Sequence, residues 1–197
     1  MKIGVDLDEV LADFLSALIM FHNHKNGTCF ERDHFHSYKV YEIWGGTYDD
    51  MIKEIYEFYD TQYFDNIKPI PGSLENIGYL SKNNDLIVIT SRQNDISEKT
   101  LGWIDSHFKN MFSGVFFTNQ NSLHGQCENK SDICRRSGVD FMIEDYIDYA
   151  AECAKSVKKV FLLDSPWNKA DDLPENISRV YTWYEITENL SKAKKAI

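Results

Sequence analysis

Two carboxylates one residue apart, Asp6 and Asp8, follow directly on the short apolar run Ile3-Gly4-Val5. Such a run reads as a buried strand. A strand alternates its faces, so residues i and i+2 project the same way where the extended geometry continues. Two like charges at the end of a buried strand repel strongly, and they are tolerated when a cation lies between them or one of them holds a proton. The opening segment is therefore a candidate site, and its chemistry points to Mg2+. Two more polar steps follow apolar runs: Thr90-Ser91-Arg92 after Leu86-Ile87-Val88-Ile89, and Glu144-Asp145 after Phe141-Met142-Ile143.

The elements that must position these groups are legible as changes of period. From Asp8 to about Gly27, Leu11, Phe14, Leu15, Leu18 and Phe21 recur at helical spacing, with Gly27 as a stop. Residues 28–46 are irregular and aromatic. Thr47 is placed to cap a second helix with Met51, Ile52, Ile55 and Tyr59 on one face. Pro69, Pro71 and Gly72 break the chain. Beyond them, helices alternate with short apolar runs. Ser73 heads a helix carrying Leu74, Ile77 and Leu80; strand 86–89 follows; Asp95 and Glu98 resemble a capping box for a helix reaching about Phe108. Strand 115–117, a helix over 130–136 closed by Gly138, strand 141–143, strand 160–163 and a sixth strand near 179–181 complete the series.

This alternation predicts an α/β fold with a parallel, Rossmann-like sheet covered on both faces. In such sheets ligands bind outside the carboxyl ends of the strands. Asp6 and Asp8, Thr90 and Ser91, and Glu144 and Asp145 are then expected to converge, although the outermost segments lie about 140 residues apart.

Composition narrows the function. The chain has 197 residues with 43% hydrophobic and 26% charged residues, ordinary values for a soluble globular protein. A formal net charge of -10 disfavours a nucleic-acid polymer as partner, because phosphate-backbone binders need a basic face. Cys29, Cys127, Cys134 and Cys153 contain no Cys-x-x-Cys and are expected to be free thiols in a reducing cytoplasm. Asp6 and Asp8 interrupt the first apolar run, against a signal peptide, and no run is long enough to span a membrane. His22, His24, Cys29, His34 and His36 crowd into fifteen residues without a zinc spacing and read as polar loop residues.

Asp6-Leu7-Asp8-Glu9-Val10, Thr90, Lys130 and Glu144-Asp145 together resemble the four ordered motifs of the haloacid dehalogenase superfamily. The run DLDEVLADF, together with Asp164-Ser165-Pro166-Trp167-Asn168, Arg179-Val180 and Trp183, is similar to the 5′(3′)-deoxyribonucleotidase-like branch, whose usual glycine after the second aspartate is Glu9 here. The resemblance implies a core of residues 1–13 and 73–197 with a helical cap, 14–72, inserted after the first strand. It implies Asp6 as nucleophile and Asp8 as general acid and base. Mg2+ would be held by Asp6, the Asp8 carbonyl and Asp145, with Glu144 behind them. Thr90, Ser91 and Lys130 would hold the phosphoryl group. Arg92 would meet a substrate anion or an acidic cap residue, unless it is a surface ion pair.

The expected partner is a small phosphorylated substrate, foremost a nucleoside monophosphate, with no nucleic-acid polymer and no membrane; a homodimer is an allowed assembly. Tyr38, Tyr41, Trp44 and Tyr48 are candidates to stack on a base, most of them expected instead in the cap's own core. The motifs fix the reaction more closely than the substrate, so a phosphatase of a non-nucleotide metabolite is the first alternative. A phosphomutase and a non-catalytic nucleotide- or metal-binding protein are more remote.

Overall fold

The computed structural model describes residues 1–195 except 121, 123 and 171. Among the described residues, β1 (Lys2–Val5), β2 (Asp85–Thr90), β3 (Gly114–Phe117), β4 (Phe141–Glu144), β5 (Lys159–Leu163) and β6 (Ile177–Val180) form one sheet in the order β3-β2-β1-β4-β5-β6. Every pairing is parallel. The expected α/β sheet is therefore present. Its strand order reverses direction at β1, the position where such sheets open a crevice.

Side-chain alternation divides the core into two layers. Ile3, Val5, Leu86, Val88, Phe141 and Ile143 pack on one face, and Ile87, Ile89, Met142, Val160 and Leu162 on the other. Gly4 belongs to the second face, where a Cβ would lie 2.8 Å from Met142 Sδ. A larger residue there would press on the side chains of Met142, Ile89 and Val139, which would have to shift.

Between β1 and the next strand run α1 (Phe14–Asn26), the short α2 (Tyr41–Trp44), α3 (Tyr48–Tyr59), the short α4 (Gln62–Asp65) and α5 (Ser73–Leu80). Thr47 caps α3 as expected, in a reciprocal box with Asp50, and Gly27 closes α1 in the left-handed conformation. The helix that was expected to begin at Asp8 begins at Phe14; residues 8–11 form a tight turn, with the amides of Leu11 and Ala12 both on the Leu7 carbonyl. His22 and His24 lie on α1 rather than in a loop, and His22 stacks on Trp44 and bonds Glu54. The inserted helices have a small core of their own around Leu15, Ile19, Phe35, Val40, Met51 and Ile52. The chain leaves the sheet and returns to it side by side: Asp13 N–H donates to Lys68 O and Ile70 N–H to Leu11 O, both at 2.8 Å.

The remaining helices, α6 (Ser97–Phe108), α7 (Lys130–Ser137), α8 (Ile147–Cys153) and α9 (Trp183–Lys195), cover the sheet. A turn of 3-10 helix over Asn94–Ile96 precedes α6 in place of the expected capping box. No helix among the described residues is long and apolar enough to cross a membrane.

Trp183, fully buried at the start of α9, donates its indole N–H to the carbonyl of Val10 at 2.9 Å, tying the last helix to the turn that carries Asp8. Trp183→Phe leaves that buried carbonyl without its partner and is expected to lower stability by about 1–3 kcal/mol. Urea denaturation of the variant measures it; an unchanged midpoint would mean the bond contributes nothing.

Candidate active site

The four segments singled out in the sequence meet at the carboxyl edge of the sheet. The ladder runs one residue past β1, with Asp6 N–H on Ile143 O, so Asp6 lies beside the end of β4. Lys130, at the start of α7, places its ammonium between two carboxylates, 2.7 Å from Asp6 Oδ1 and 2.6 Å from Glu144 Oε1. Lys130 and Glu144 are fully buried, and Asp6 and Asp145 nearly so. The Tyr149 ring of α8 lies beneath the ammonium at 4.7 Å. Burial alone would lower the Lys130 pKa; Asp6 and Glu144 outweigh it and hold the group well above its usual range, as a cation.

Asp6, Glu144 and Asp145 present carboxylate oxygens within 4.8 Å of one another. Burial and the neighbouring Asp6 charge push both Glu144 and Asp145 well above the ordinary carboxylate range. Three carboxylates facing one ammonium leave negative charge uncompensated in a water-poor space, which is costly unless a further cation is present. The donors are hard oxygens, as Mg2+ requires. Their commitments differ. Glu144 gives one oxygen to Lys130 and the other to the Asp145 amide, whereas Asp145 gives Oδ2 to the Trp167 indole and Asp6 gives Oδ1 to Lys130.

Asp8 projects into the same cleft, its side chain 28% exposed and accepting from Nε and Nη2 along one edge of the Arg92 guanidinium. Burial raises its carboxyl pKa, with Arg92 pulling against it. Arg92 is buried, so it is neither a surface ion pair nor joined to an acidic residue of the insert; its carboxylate partner is Asp8. Thr90, at the end of β2, accepts the Arg92 amide on Oγ1 and keeps its own proton to donate. The Ser91 hydroxyl is buried at the cleft without a well-formed hydrogen bond among the described residues.

Above these groups lies a cleft of about 310 Å³ between the strand ends and the inserted helices. Phe14, Leu18, Ile52 and Ile55 make one wall apolar, while Tyr38, Tyr48, Tyr146 and Tyr149 supply aromatic edges. Tyr38 stacks on Tyr146 at 4.1 Å, joining insert to core across the opening. Trp44 and Tyr41 pack in the core of the insert instead. Among the described residues no cluster of His and Cys gathers at metal-ligand spacing.

Glu9 replaces the expected glycine in a position that favours glycine, at φ +64°. Its carboxylate is nonetheless placed: one oxygen accepts the Leu15 amide at 2.6 Å, capping α1, and the other pairs with Arg32 of the insert. Burial pushes its pKa up to about 7, against the pull of Arg32. Arg32 also pairs with Asp13 and lies over the Trp167 ring, the same indole that donates to Asp145. Sequence reasoning assigned no role to Arg32, Trp167 or Tyr149. Trp167 carried a signal as part of a segment that resembles the branch, and Tyr149 carried one as the residue one helical turn beyond Asp145 on the following helix.

A parallel sheet in this order, with an aspartate pair after β1, a lysine on α7 and an acidic pair after β4, defines a haloacid dehalogenase-like hydrolase. A haloacid dehalogenase-like family hydrolase from Streptococcus pneumoniae superposes with a TM-score of 0.69 at 12% identity, covering 96% of this chain and 97% of its own. Residues 1–196 match the model of the family described as 5′ nucleotidase, deoxy (pyrimidine), cytosolic type C protein, and the chain belongs to that family. It is accordingly a phosphoric monoester hydrolase of the nucleotidase class. Relatives include a nucleotidase of Clostridium acetobutylicum, 24% identical over 100% of this chain and 98% of its own length. The 5′(3′)-deoxyribonucleotidase of Bacillus subtilis is 28% identical over 95% of this chain and 97% of its own.

The double duty of Glu9 has a measurable signature. Glu9→Ala removes the cap and the Arg32 pair but keeps the left-handed backbone; Glu9→Gly removes the bonds and the strain together. Glu9→Ala is expected to cost about 1–3 kcal/mol, and Glu9→Gly about 1 kcal/mol less. Equal losses in urea denaturation would show that this backbone stores no strain.

Proposed function

We propose that the chain is a Mg2+-dependent phosphomonoesterase resembling 5′(3′)-deoxyribonucleotidases, acting through an aspartyl-phosphate on Asp6 in the cytoplasm. The observation that carries this reading is the buried Lys130 ammonium held between Glu144 and Asp6, the latter of which lines the cleft. A lysine so placed neutralises the nucleophile in the resting state and meets phosphoryl charge in the transition state. Asp6, the Asp8 carbonyl and Asp145 would hold the metal, with Glu144 orienting them from behind. Bound there, Mg2+ supplies Lewis-acid charge to the phosphoryl oxygens.

The chain's own groups account for the remaining steps. An Asp6 oxygen attacks phosphorus as the ester P–O bond breaks, and Asp8 gives its proton to the departing alkoxide. Asp8 then takes a proton from water, whose oxygen attacks phosphorus and releases phosphate and free Asp6. Thr90 and the Ser91 hydroxyl donate to phosphoryl oxygens, and Lys130 compensates their charge. Residues 14–72 act as a cap over the core formed by 1–13 and 73–197, excluding bulk water during the reaction.

The apolar wall and tyrosine edges of the cleft favour a nucleoside monophosphate, deoxy forms among them, over a small sugar phosphate. A phosphomonoester panel tests this: nucleotides are expected to give the higher kcat/KM, and Asp6→Asn to bring turnover to background while the fold persists. Sugar phosphates that outperform every nucleotide would favour the metabolite-phosphatase reading. Substantial activity in pure Asp6→Asn would remove Asp6 as nucleophile.

The ligand assignment has its own test. Mg2+ is expected to raise the thermal midpoint of the wild-type protein, because binding to the folded state alone stabilises it. Asp145→Ala should weaken that shift more than Glu144→Gln. The opposite ranking would exchange the roles of the two carboxylates.

A further inference from the structure

Arg92 occupies a place that substrate binding does not explain. Its fork meets both Asp8 oxygens, Nε–Oδ2 at 3.0 Å and Nη2–Oδ1 at 2.7 Å, while Nη1 donates to Thr100 Oγ1 of α6 at 3.1 Å. Its guanidinium carbon lies 5.0 Å from the Phe64 ring centroid and 5.7 Å from that of Phe14, both rings belonging to the inserted helices. The side chain is 2% exposed. One edge of the guanidinium faces Asp8, another faces Thr100, and its faces meet aromatic rings.

We infer that Arg92 is a positioning residue through which the inserted helices hold Asp8 for proton transfer to the leaving group. The inference rests on the phosphatase reading of the site. A carboxylate accepting from two guanidinium N–H groups is the conjugate base, the form Asp8 reaches as its proton passes to the ester oxygen and the P–O bond breaks. A fixed bidentate fork stabilises that developing charge without reorganisation. The Phe14 and Phe64 rings fix the fork in turn by packing and cation–π attraction, so the orientation of Asp8 depends on where α1 and α4 sit.

Leaving-group chemistry isolates this role. A nucleoside 5′-monophosphate departs as an alkoxide that needs a proton, whereas p-nitrophenyl phosphate departs as a stable phenolate that does not. Arg92→Lys keeps the buried cation and stem but loses the planar fork. With Mg2+ present, kcat/KM for the nucleotide is expected to fall about 100-fold, and that for the aryl ester by less than about tenfold. The inhibition constant of inorganic phosphate should stay within about twofold. Phe64→Leu, which keeps an apolar side chain but removes the ring, should show the same imbalance at smaller size.

Equal losses on both esters would overturn the positioning role in favour of a purely structural one. A large rise in the phosphate inhibition constant would make Arg92 a substrate ligand instead. Balanced kinetics in Phe64→Leu would sever the link to the inserted helices. A wild-type protein that hydrolyses neither ester would overturn the phosphatase reading and this role with it; a wild type active on both confines any failure to Arg92.

Discussion

The site depends on one buried cation. Lys130 lies between Asp6 from the end of β1 and Glu144 from the end of β4, with the Tyr149 ring beneath it. Removing a charged group from water is costly, and removing three carboxylates from it is more so. Lys130 makes the gathering tolerable without completing the neutralisation. The parallel sheet supplies the other half of the constraint: adjacent strands end at one level, so residues far apart in sequence arrive at one point with little conformational freedom left. The fold positions charges that would otherwise separate, and the lysine keeps them from separating.

Above this floor, the inserted helices are wired into the catalytic turns by side chains rather than by area alone. Glu9 caps α1 and pairs with Arg32; Arg32 lies over Trp167; Trp167 donates to Asp145. On the opposite side, Phe14 and Phe64 flank Arg92, and Arg92 holds Asp8. Asp8 and Asp145 are thus each two contacts from the insert. A displacement of the helices is felt at the reacting groups, and charge introduced at the reacting groups is felt by the helices.

Much of this was legible in the chain because it is periodic. Buried parallel strands appear as short unbroken apolar runs, and the polar residues that end them mark the carboxyl edge; Asp6, Thr90 and Glu144-Asp145 could be found in that way. Lys130 was found only through its resemblance to an ordered motif, since a lone lysine at a helix start looks solvated. Residues 8–13 read as helix in the sequence because Leu11 and Phe14 keep helical spacing, whereas the turn they form depends on a left-handed backbone at position 9 that a glutamate does not announce. Trp167 stands in a segment that carries the resemblance, but its bond to Asp145 and its contact with Arg32 are not legible, because these partners lie at long range and no period connects them. Tyr41 and Trp44 differ from Tyr38 and Tyr48 only in which way the insert faces, and that is decided by tertiary packing.

The paired segments at the base of the insert carry a mechanical consequence. Residues 11–13 and 68–70 meet in a single antiparallel bridge, Ala12 opposite Pro69, closed by the bonds from Asp13 to Lys68 and from Ile70 to Leu11. Two independent tethers would let the helices swing and twist freely. A hydrogen-bonded bridge resists shear between its two segments, because sliding one past the other breaks both bonds, but bends readily across its face. The bonds therefore oppose sliding of the insert's two ends past each other and leave bending across them as the softer direction. Asp8 lies three residues before one side of that bridge.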